Sequence, residues 1–361
     1  MATLLEYKCP CCGGALSFES SLQKMQCPYC DTEFDVQSLQ EMDAVLETPQ
    51  EDTMDWQQES SNTWQEGEED GLYAYVCQSC GGQIVGDAAM AATSCPYCDN
   101  PVVIAGKLAG DLKPDLVIPF KLSKADAEAA LTKHLTGKPL LPKIFKSENR
   151  IKEIKGMYVP FWLFDAHADG NASFHATRVR TWSDSNYHYT ETKHYRILRS
   201  GDLRFAGVPA DGSQKMADDL MESIEPYDLS EAVDFQTAYL AGYLADRYDL
   251  SAADCVPRVN TRIKASTEQA LRDTIYGYST VTTENCAVTL DDTHTRYALY
   301  PVWILSTKYK DQIYTFAMNG QTGRFVGNLP INWAAFWAWL IGLTVGVGSL
   351  AMLIATALGY L

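Results

Sequence analysis

The stretch Cys77-Gln78-Ser79-Cys80, followed after fourteen intervening residues by Cys95-Pro96-Tyr97-Cys98-Asp99, decides how this chain folds. The same unit occurs 68 residues earlier, where Cys9-x2-Cys12 precedes Cys27-Pro28-Tyr29-Cys30-Asp31. Two cysteine pairs on tight turns, joined by a short hairpin, form a cage of four sulfur ligands that suits Zn²⁺. The sequence therefore predicts two zinc ribbons, each with one structural Zn²⁺. The predicted metal ligands are Cys9, Cys12, Cys27, Cys30, Cys77, Cys80, Cys95 and Cys98.

Other interpretations of these cysteines are weaker. Disulfides need an oxidising compartment, and the opening residues MATLLEYK do not have the pattern of a signal peptide. Redox CxxC motifs usually occur singly beside a βαβ pattern, which is absent here. Iron in a rubredoxin-like site stays open as an alternative to zinc. Cys11 is interpreted as a spare thiol, with competition as a metal ligand as the alternative, and Cys255 and Cys286 as small buried hydrophobic residues.

The charge distribution bears on what the ribbons bind. Residues 1–106 contain two basic residues, Lys8 and Lys24, against eighteen acidic ones, within a chain of net charge −17. Each Zn²⁺ with four thiolates adds about −2 by charge counting. Such a surface repels phosphates, whereas nucleic-acid-binding proteins gain affinity by neutralising them. The composition therefore favours protein partners and disfavours nucleic acid.

The segment between the ribbons, residues 37–71, has the composition of a solvated linker. It is rich in Asp and Glu with Gln, Ser and Asn between them, and it buries too little apolar surface to offset its ordering entropy. Trp56 and Trp64 depart from this pattern. They are predicted to fold back onto the protein or stay weakly ordered, with a docking motif for a partner as the alternative.

A long apolar run lies near the C-terminus. No residue from Trp333 to Leu361 is charged, and Phe336–Leu358 is 23 residues, enough at about 1.5 Å per residue to cross a hydrocarbon core of about 30 Å. The run predicts a single-pass, tail-anchored protein that contacts the lipid bilayer through residues 333–361. Lys308, Lys310 and Arg324 precede the run. They favour the inner (cytoplasmic) membrane, with the bulk of the chain cytoplasmic.

Small residues recur every four positions in this run, at Ala334, Ala338, Gly342 and Gly346. Such spacing lets two membrane helices approach backbone to backbone, which predicts a helix–helix association. The alternative is that Gly and Ala are common in membrane helices.

Residues 107–331 are predicted to form an α+β domain. Capping boxes at Ser123–Asp126 and Ser251–Asp254 open helices, and Ser213 is predicted to cap a short helix that ends near Glu225. Strands are predicted over 117–122, 158–167, 173–180, 187–199, 203–208, 297–309, 312–319 and 324–326, with a turn at Asp169-Gly170. Capping box, helix and a Pro-x-Trp strand occur twice, which predicts an internal repeat.

Catalytic signals in this domain are weak. Asp165, His167 and Asp169 alternate and could face one side of a strand as metal ligands, but polar residues at a strand end are ordinary. P-loop, nucleophile-elbow, dinucleotide and HExxH patterns are absent. The sequence predicts that the protein is not an enzyme; a hydrolase or metalloenzyme is the rival hypothesis.

Several sequence segments resemble those of a known family. They are the tandem ribbons, residues 117–121 (VIPFK), 156–165 (GMYVPFWLFD), 208–213 (VPADGS), 221–226 (MESIEP) and 238–243 (AYLAGY). The chain resembles a bacterial membrane-anchored tandem zinc-ribbon family. Its members carry the labels transcription-factor-IIB-type zinc ribbon protein or primosomal replication-restart helicase-like. The resemblance implies a recruiter at the inner membrane surface, with flotillin-like (SPFH) scaffold proteins and phage-shock-type membrane-stress proteins as partners.

The sequence as a whole predicts a multidomain chain. Its parts are zinc ribbon 1 (1–36), an acidic linker (37–71), zinc ribbon 2 (72–106), an α+β domain (107–331) and a transmembrane helix (332–361). The expected function is that of a non-enzymatic membrane-anchored adaptor that recruits or scaffolds protein partners at the cytoplasmic face. The alternative is a nucleic-acid-associated zinc-ribbon factor tethered to the membrane.

Overall fold

The computed structural model describes residues 9, 14–37, 51–57, 62–65, 67–68, 71–87, 94–107 and 112–358. The chain divides into two units. Unit 1 contains Met1–Gln58, Phe164–Val208 and Val256–Thr295, and unit 2 contains Glu59–Leu163, Pro209–Cys255 and Arg296–Leu361.

Ribbon 1 forms a small antiparallel sheet of its own. Its strands are β1 (Ser17–Glu19), β2 (Lys24–Gln26) and β3 (Glu33–Phe34), in that order across the sheet. Phe18 lies opposite Met25, which lies opposite Phe34. Three such short strands bury little apolar surface, too little for a core of their own.

The described residues after ribbon 1 form eleven further strands and five α-helices. The strands are β4 (Leu72–Cys77), β5 (Gln83–Asp87), β6 (Val102–Lys107), β7 (Leu116–Val117), β8 (Lys155–Ser183), β9 (His188–Asp211), β10 (Val233–Asp234), β11 (Leu244–Asp246), β12 (Thr280–Tyr309), β13 (Gln312–Asn319) and β14 (Phe325–Gly327). The helices are α1 (Lys124–Leu135), α2 (Glu148–Ile151), α3 (Asp218–Ser223), α4 (Ala252–Arg272) and α5 (Trp333–Ala357).

The strands of ribbon 2 belong to the large sheet on which unit 2 is built. The strand order is β10-β7-β12-β8-β11-β5-β4-β6, and β13 pairs with β12 and β14. Ala245 of β11 lies opposite Val85 of β5 in antiparallel pairing and opposite Tyr158 of β8 in parallel pairing. Ribbon 2 therefore continues the hydrogen-bonded ladder of the middle part of the chain.

The core of unit 2 includes the cysteines of ribbon 2. One apolar cluster joins Cys77, Cys95 and Tyr97 to side chains of β8 and β12, including Phe161 and Tyr300. The rings of Phe161 and Tyr300 stack with centroids 4.3 Å apart. Each large side chain fully buried in this way contributes about 1.5–3 kcal/mol. Ribbon 2 and the middle of the chain thus share one hydrophobic core.

A second cluster of unit 2 lies under α1. Ala127, Leu131 and Leu135, four residues apart and so on one helix face, pack against a group that includes Trp303 and Leu305. The capping box predicted at the start of α1 is confirmed. The Asp126 amide donates to the Ser123 hydroxyl, and the Ser123 amide donates to the Asp126 carboxylate. The reciprocal bonds predicted at Ser251–Asp254 are also present.

In unit 1, one predicted turn is absent. Asp169-Gly170 was expected to separate two strands, but β8 continues through both residues. A Cβ atom at Gly170 would lie 2.4 Å from Cγ2 of Thr267 on α4. Gly170 therefore permits a close approach of helix and strand.

Two more sequence predictions were wrong in detail. Ser213 does not cap α3, whose N-cap is Ala217; Ser213 is buried instead. The strand predicted over 117–122 is reduced to the two residues of β7. Pro119, which has no amide hydrogen to continue the ladder, follows closely.

The two tryptophans of the acidic segment contact the protein itself. In unit 1, the ring of Trp56 packs edge-on against Phe164 at 4.8 Å, and its Nε1 donates to Oδ1 of Asn260 at 2.7 Å. In unit 2, Trp64 packs edge-on against Phe235 at 5.9 Å. This outcome favours the fold-back interpretation over a free docking motif.

The C-terminal helix α5 is long and apolar enough to cross a membrane. Its candidate span is Trp333–Ile354, 22 residues, and none of it is buried within the chain. Asn332 caps the helix, accepting a hydrogen bond from the Ala335 amide at 3.2 Å. The internal repeat, the helix–helix association and the sidedness of the membrane stay predictions.

Candidate metal centres

The four cysteine pairs share one backbone hydrogen bond. In each, the amide of the first cysteine donates to the carbonyl five residues later. These bonds run from Cys9 to Gly14, Cys27 to Thr32, Cys77 to Gly82 and Cys95 to Asn100, at 2.7, 3.0, 2.9 and 2.7 Å. We call each such turn a knuckle; in the three knuckles with both cysteines described, the two sulfur atoms lie within 4.8 Å of each other.

The residue after the second cysteine closes the knuckle by taking a left-handed conformation. This residue is Asp31 (φ 55°), Gly81 (φ 71°) or Asp99 (φ 63°). Its amide donates back to the first cysteine's carbonyl at 2.8–2.9 Å in all three. Gly adopts this conformation freely, and Asp is among the few other residues that tolerate it.

Ribbon 2 brings four sulfur atoms together. The Sγ atoms of Cys77 and Cys98 are 3.5 Å apart, and those of Cys80 and Cys95 are 3.6 Å apart. All four lie within 4.8 Å of one another. These separations are far longer than the ~2.05 Å of a disulfide bond. The cluster could hold a metal ion.

Ribbon 1 brings together three described sulfur atoms. Those of Cys9, Cys27 and Cys30 lie within 4.8 Å of one another, with Cys9 and Cys30 at 3.6 Å. The predicted fourth ligand, Cys12, lies outside the described residues, as does Cys11. This cluster could also hold a metal ion.

The thiols of ribbon 2 differ in acidity. Burial raises the pKa of Cys95 and of Cys80. Burial opposes ionisation of Cys98 too, but hydrogen bonds from Asn100 and neighbouring thiols lower its pKa to about 7. A metal ion held by all four sulfur atoms would have to displace the protons of Cys80 and Cys95, so its affinity would fall as the solution becomes acidic.

A glycine and a tyrosine meet in the same way in both ribbons. A Cβ atom at Gly14 would lie 2.5 Å from a ring carbon of Tyr29, and one at Gly82 would lie 2.9 Å from a ring carbon of Tyr97. Each tyrosine ring therefore lies directly on the backbone of the opposite knuckle.

Tyr97 of ribbon 2 is buried in unit 2. Its hydroxyl lies beside the carboxyl of Asp246 and the hydroxyl of Ser213, without the geometry of a well-formed hydrogen bond to either. Burial, followed by the charge of Asp246, raises the pKa of Tyr97. Asp246 was not predicted from the sequence; the available signal was an acidic residue at the end of the short strand Leu244–Asp246.

Side chains from elsewhere in unit 2 satisfy the polar groups around these knuckles. Nζ of Lys215 donates to the Cys80 carbonyl (3.0 Å), Nζ of Lys155 to the Ser94 carbonyl (2.7 Å), Oγ of Ser306 to the Pro96 carbonyl (2.7 Å), and a guanidinium nitrogen of Arg150 to Asp99 Oδ2 (2.8 Å). The second knuckle is therefore fixed by the fold around it.

The buried carboxyl group of Asp246 should make the stability of the fold depend on pH. Burial raises its pKa from 3.8 to about 7. Between about pH 4 and pH 7 the carboxyl is ionised in the unfolded chain but protonated in the folded one, so folding must take up a proton, which becomes harder as the pH rises. The free energy of unfolding should therefore fall by about 2 kcal/mol between pH 5.5 and 8.5, at about 1.4 kcal/mol per pKa unit. Asp246→Asn should flatten this slope in urea unfolding of the full chain in detergent.

Asp234→Asn, at an exposed position of β10, is the matched control for Asp246→Asn and should leave the slope unchanged. Metal content is measured at each pH so that metal loss is not mistaken for titration of Asp246. An Asp246→Asn variant that keeps the wild-type slope would contradict the assignment.

The other candidate residues are not gathered into a site. Asp165 Oδ1 accepts from the Gly207 amide at 2.6 Å, Nδ1 of His167 is 3.9 Å from Asp291, and Asp169 lies near Asp202. Among the described residues, potential metal-binding groups of three or more side chains consist only of cysteines. Cys255 and Cys286 are buried, as predicted.

Fold and site together define a chain with two cysteine clusters able to hold metal, a sheet-rich middle and one candidate membrane helix. No family model matches the chain. No solved structure matches it either. The uncharacterized protein YdjG of Bacillus subtilis (strain 168) is 34% identical over 356 residues, which cover 99% of each chain. The chain belongs to the same family as YdjG.

Proposed function

We propose that the protein is a membrane-anchored, non-enzymatic adaptor in which two structural zinc sites hold ribbons that recruit protein partners at the cytoplasmic face. The observation that carries this proposal is the four-sulfur cage of ribbon 2, whose cysteines form part of the core of unit 2. A closed cage of four ligands leaves no position for a substrate. It therefore supports a structural role for the metal.

Zinc fits the geometry of the cage. Tetrahedral coordination with Zn–S bonds of about 2.3 Å separates the sulfur atoms by about 3.8 Å. In ribbon 2, the sulfur atoms of Cys77 and Cys98 are 3.5 Å apart and those of Cys80 and Cys95 are 3.6 Å apart, close to that value. Cys77, Cys80, Cys95 and Cys98 would hold the ion in ribbon 2, and Cys9, Cys12, Cys27 and Cys30 in ribbon 1. When bound, zinc supplies folding energy to these short hairpins.

The helix α5 supports anchoring. An apolar helix of this length with no side of it buried in the protein has a large unfavourable exposure to water, which a bilayer removes. Basic residues before the helix favour a cytoplasmic location for the rest of the chain. The acidic ribbons are repelled by anionic headgroups and so favour partners away from the lipid surface.

Proximity labelling in living cells tests the adaptor function. The labelling enzyme is fused to the full chain and, as the comparison, to a variant without residues 332–361. The full chain should label membrane-associated proteins that the truncated variant labels several-fold less. The resemblance to membrane-anchored ribbon proteins makes flotillin-like and phage-shock-type proteins the first candidates among them. Identical neighbours for both forms would contradict selection of partners by anchoring.

A further inference from the structure

The pentapeptide Cys-Pro-Tyr-Cys-Asp occurs in both ribbons with different surroundings. Residues 27–31 and 95–99 share their sequence, their knuckle hydrogen bonds and the contact of tyrosine with glycine. Tyr97 is 8% exposed, whereas Tyr29 is 77% exposed. The same local surface, here called the knuckle face and formed by the tyrosine and aspartate of the pentapeptide, is covered in one copy and open in the other.

Ribbon 2 shows what a knuckle face of this sequence binds. The tyrosine ring is buried, and its hydroxyl lies beside the side chains of Asp246 and Ser213. The aspartate is paired with Arg150, and Lys155 donates to a backbone carbonyl just before the pentapeptide. The acceptor is therefore a pocket for a tyrosine ring, polar at its end and rimmed by basic side chains.

Ribbon 1 presents the same face together with exposed apolar side chains. Phe18 is 52% exposed and Leu22 is 47% exposed, and Asp31 is exposed as well. Ribbon 1 is too short to bury these side chains in a core of its own. Aromatic and aliphatic side chains around an exposed acidic group form the kind of surface that marks a protein interface.

We propose that the knuckle face of ribbon 1 docks on a partner protein whose surface reproduces this acceptor. The partner supplies a pocket for Tyr29, with a carboxyl or hydroxyl group at its end, and an arginine or lysine beside Asp31. This inference rests on the proposed adaptor function and identifies the surface that performs it. A second copy of the chain fits less well, because its acceptor is already filled by its own ribbon 2. The acidic balance of residues 1–106 favours a basic rim.

Site-specific photocrosslinking in cells tests the knuckle face. The full chain carries Tyr29→p-benzoylphenylalanine, and a matched variant carries the same group in place of Tyr276, which is 82% exposed. The probe at position 29 should form an adduct with a different protein, through a peptide that contains Arg or Lys. The probe at position 276 should not form this adduct. Asp31→Arg should reduce the adduct about tenfold by opposing the basic rim, while Glu51→Arg, with the same change in net charge, should not.

Several outcomes would overturn the proposal. They are an adduct with a second copy of the chain, an adduct removed by nuclease, an adduct unaffected by Asp31→Arg, and no adduct from chain that holds two metal ions. Measuring two metal ions per chain in each variant shows that ribbon 1 remains folded. The adaptor proposal and the knuckle-face proposal are contradicted by different results. The predicted adduct from chain recovered in the soluble fraction would support this face and contradict the membrane adaptor. If the chain is membrane-bound and holds two metal ions but forms no adduct, the docking role of the knuckle face is contradicted, while the adaptor proposal is not.

Discussion

Cys95→Ser is expected to unfold unit 2 and to remove one of two bound metal ions. Cys95 lies in the same core cluster as residues of β8 and β12, and β5 continues the sheet through β11. Structural zinc contributes about 10–16 kcal/mol in small zinc domains, comparable with the whole stability of about 5–15 kcal/mol of a typical domain. Limited proteolysis with mass spectrometry should show cleavage throughout unit 2, and metal analysis should find one ion per chain.

Cys27→Ser is the matched control for Cys95→Ser. It changes the equivalent cysteine of ribbon 1, whose three strands form a separate sheet. The same metal loss is expected, but new cleavage should be confined to ribbon 1. Native protease resistance of unit 2 in Cys95→Ser would show that the cage does not stabilise the sheet. Equal cleavage of unit 2 in both variants would show that ribbon 1 stabilises unit 2 as much as ribbon 2 does.

Two arginines in α5 are expected to release the chain from the membrane. Leu343 and Val347 are four residues apart on one exposed helix face near the middle of the span. Each arginine at the centre of a membrane helix costs about 2.5–3.5 kcal/mol on insertion scales. Leu343→Arg with Val347→Arg should therefore shift most of the chain from the membrane pellet to the alkaline carbonate wash.

Leu343→Ala with Val347→Ala is the control for the double arginine variant. It also replaces both apolar side chains but adds no charge, and it should remain in the pellet. The metal content of the arginine variant should stay at two ions per chain, since α5 holds none of the predicted ligands. Wild-type chain recovered as soluble protein without detergent would refute anchoring by α5.

Local signals in the sequence predicted local structure well. The CxxC spacing placed three described sulfur atoms of ribbon 1 and four of ribbon 2 together, because each knuckle is closed by hydrogen bonds within six residues. The capping box at Ser123 marked the start of α1 for the same reason. The apolar run marked α5, because a helix satisfies its backbone hydrogen bonds internally.

Tertiary structure overrode the sequence signals elsewhere. Asp169-Gly170 has the composition of a turn, yet β8 passes through it because Thr267, nearly a hundred positions later, fills the space that a glycine leaves. The pentapeptide gives Tyr29 and Tyr97 the same local conformation, but their burial depends on residues such as Asp246 that are remote in sequence. Periodicity and motifs contain no information on such partners.

The pairing of Val85 with Ala245, 160 positions later, has a consequence for biosynthesis. On the ribosome, the second cysteine cage can capture its ion once Cys98 has emerged. The free edge of β5 must then wait for its neighbouring strand to be translated, on the order of ten to thirty seconds at about 5–20 residues per second. Early metal binding would keep this nascent hairpin folded during the interval. Cells starved of the metal should therefore accumulate newly synthesised chains in aggregates.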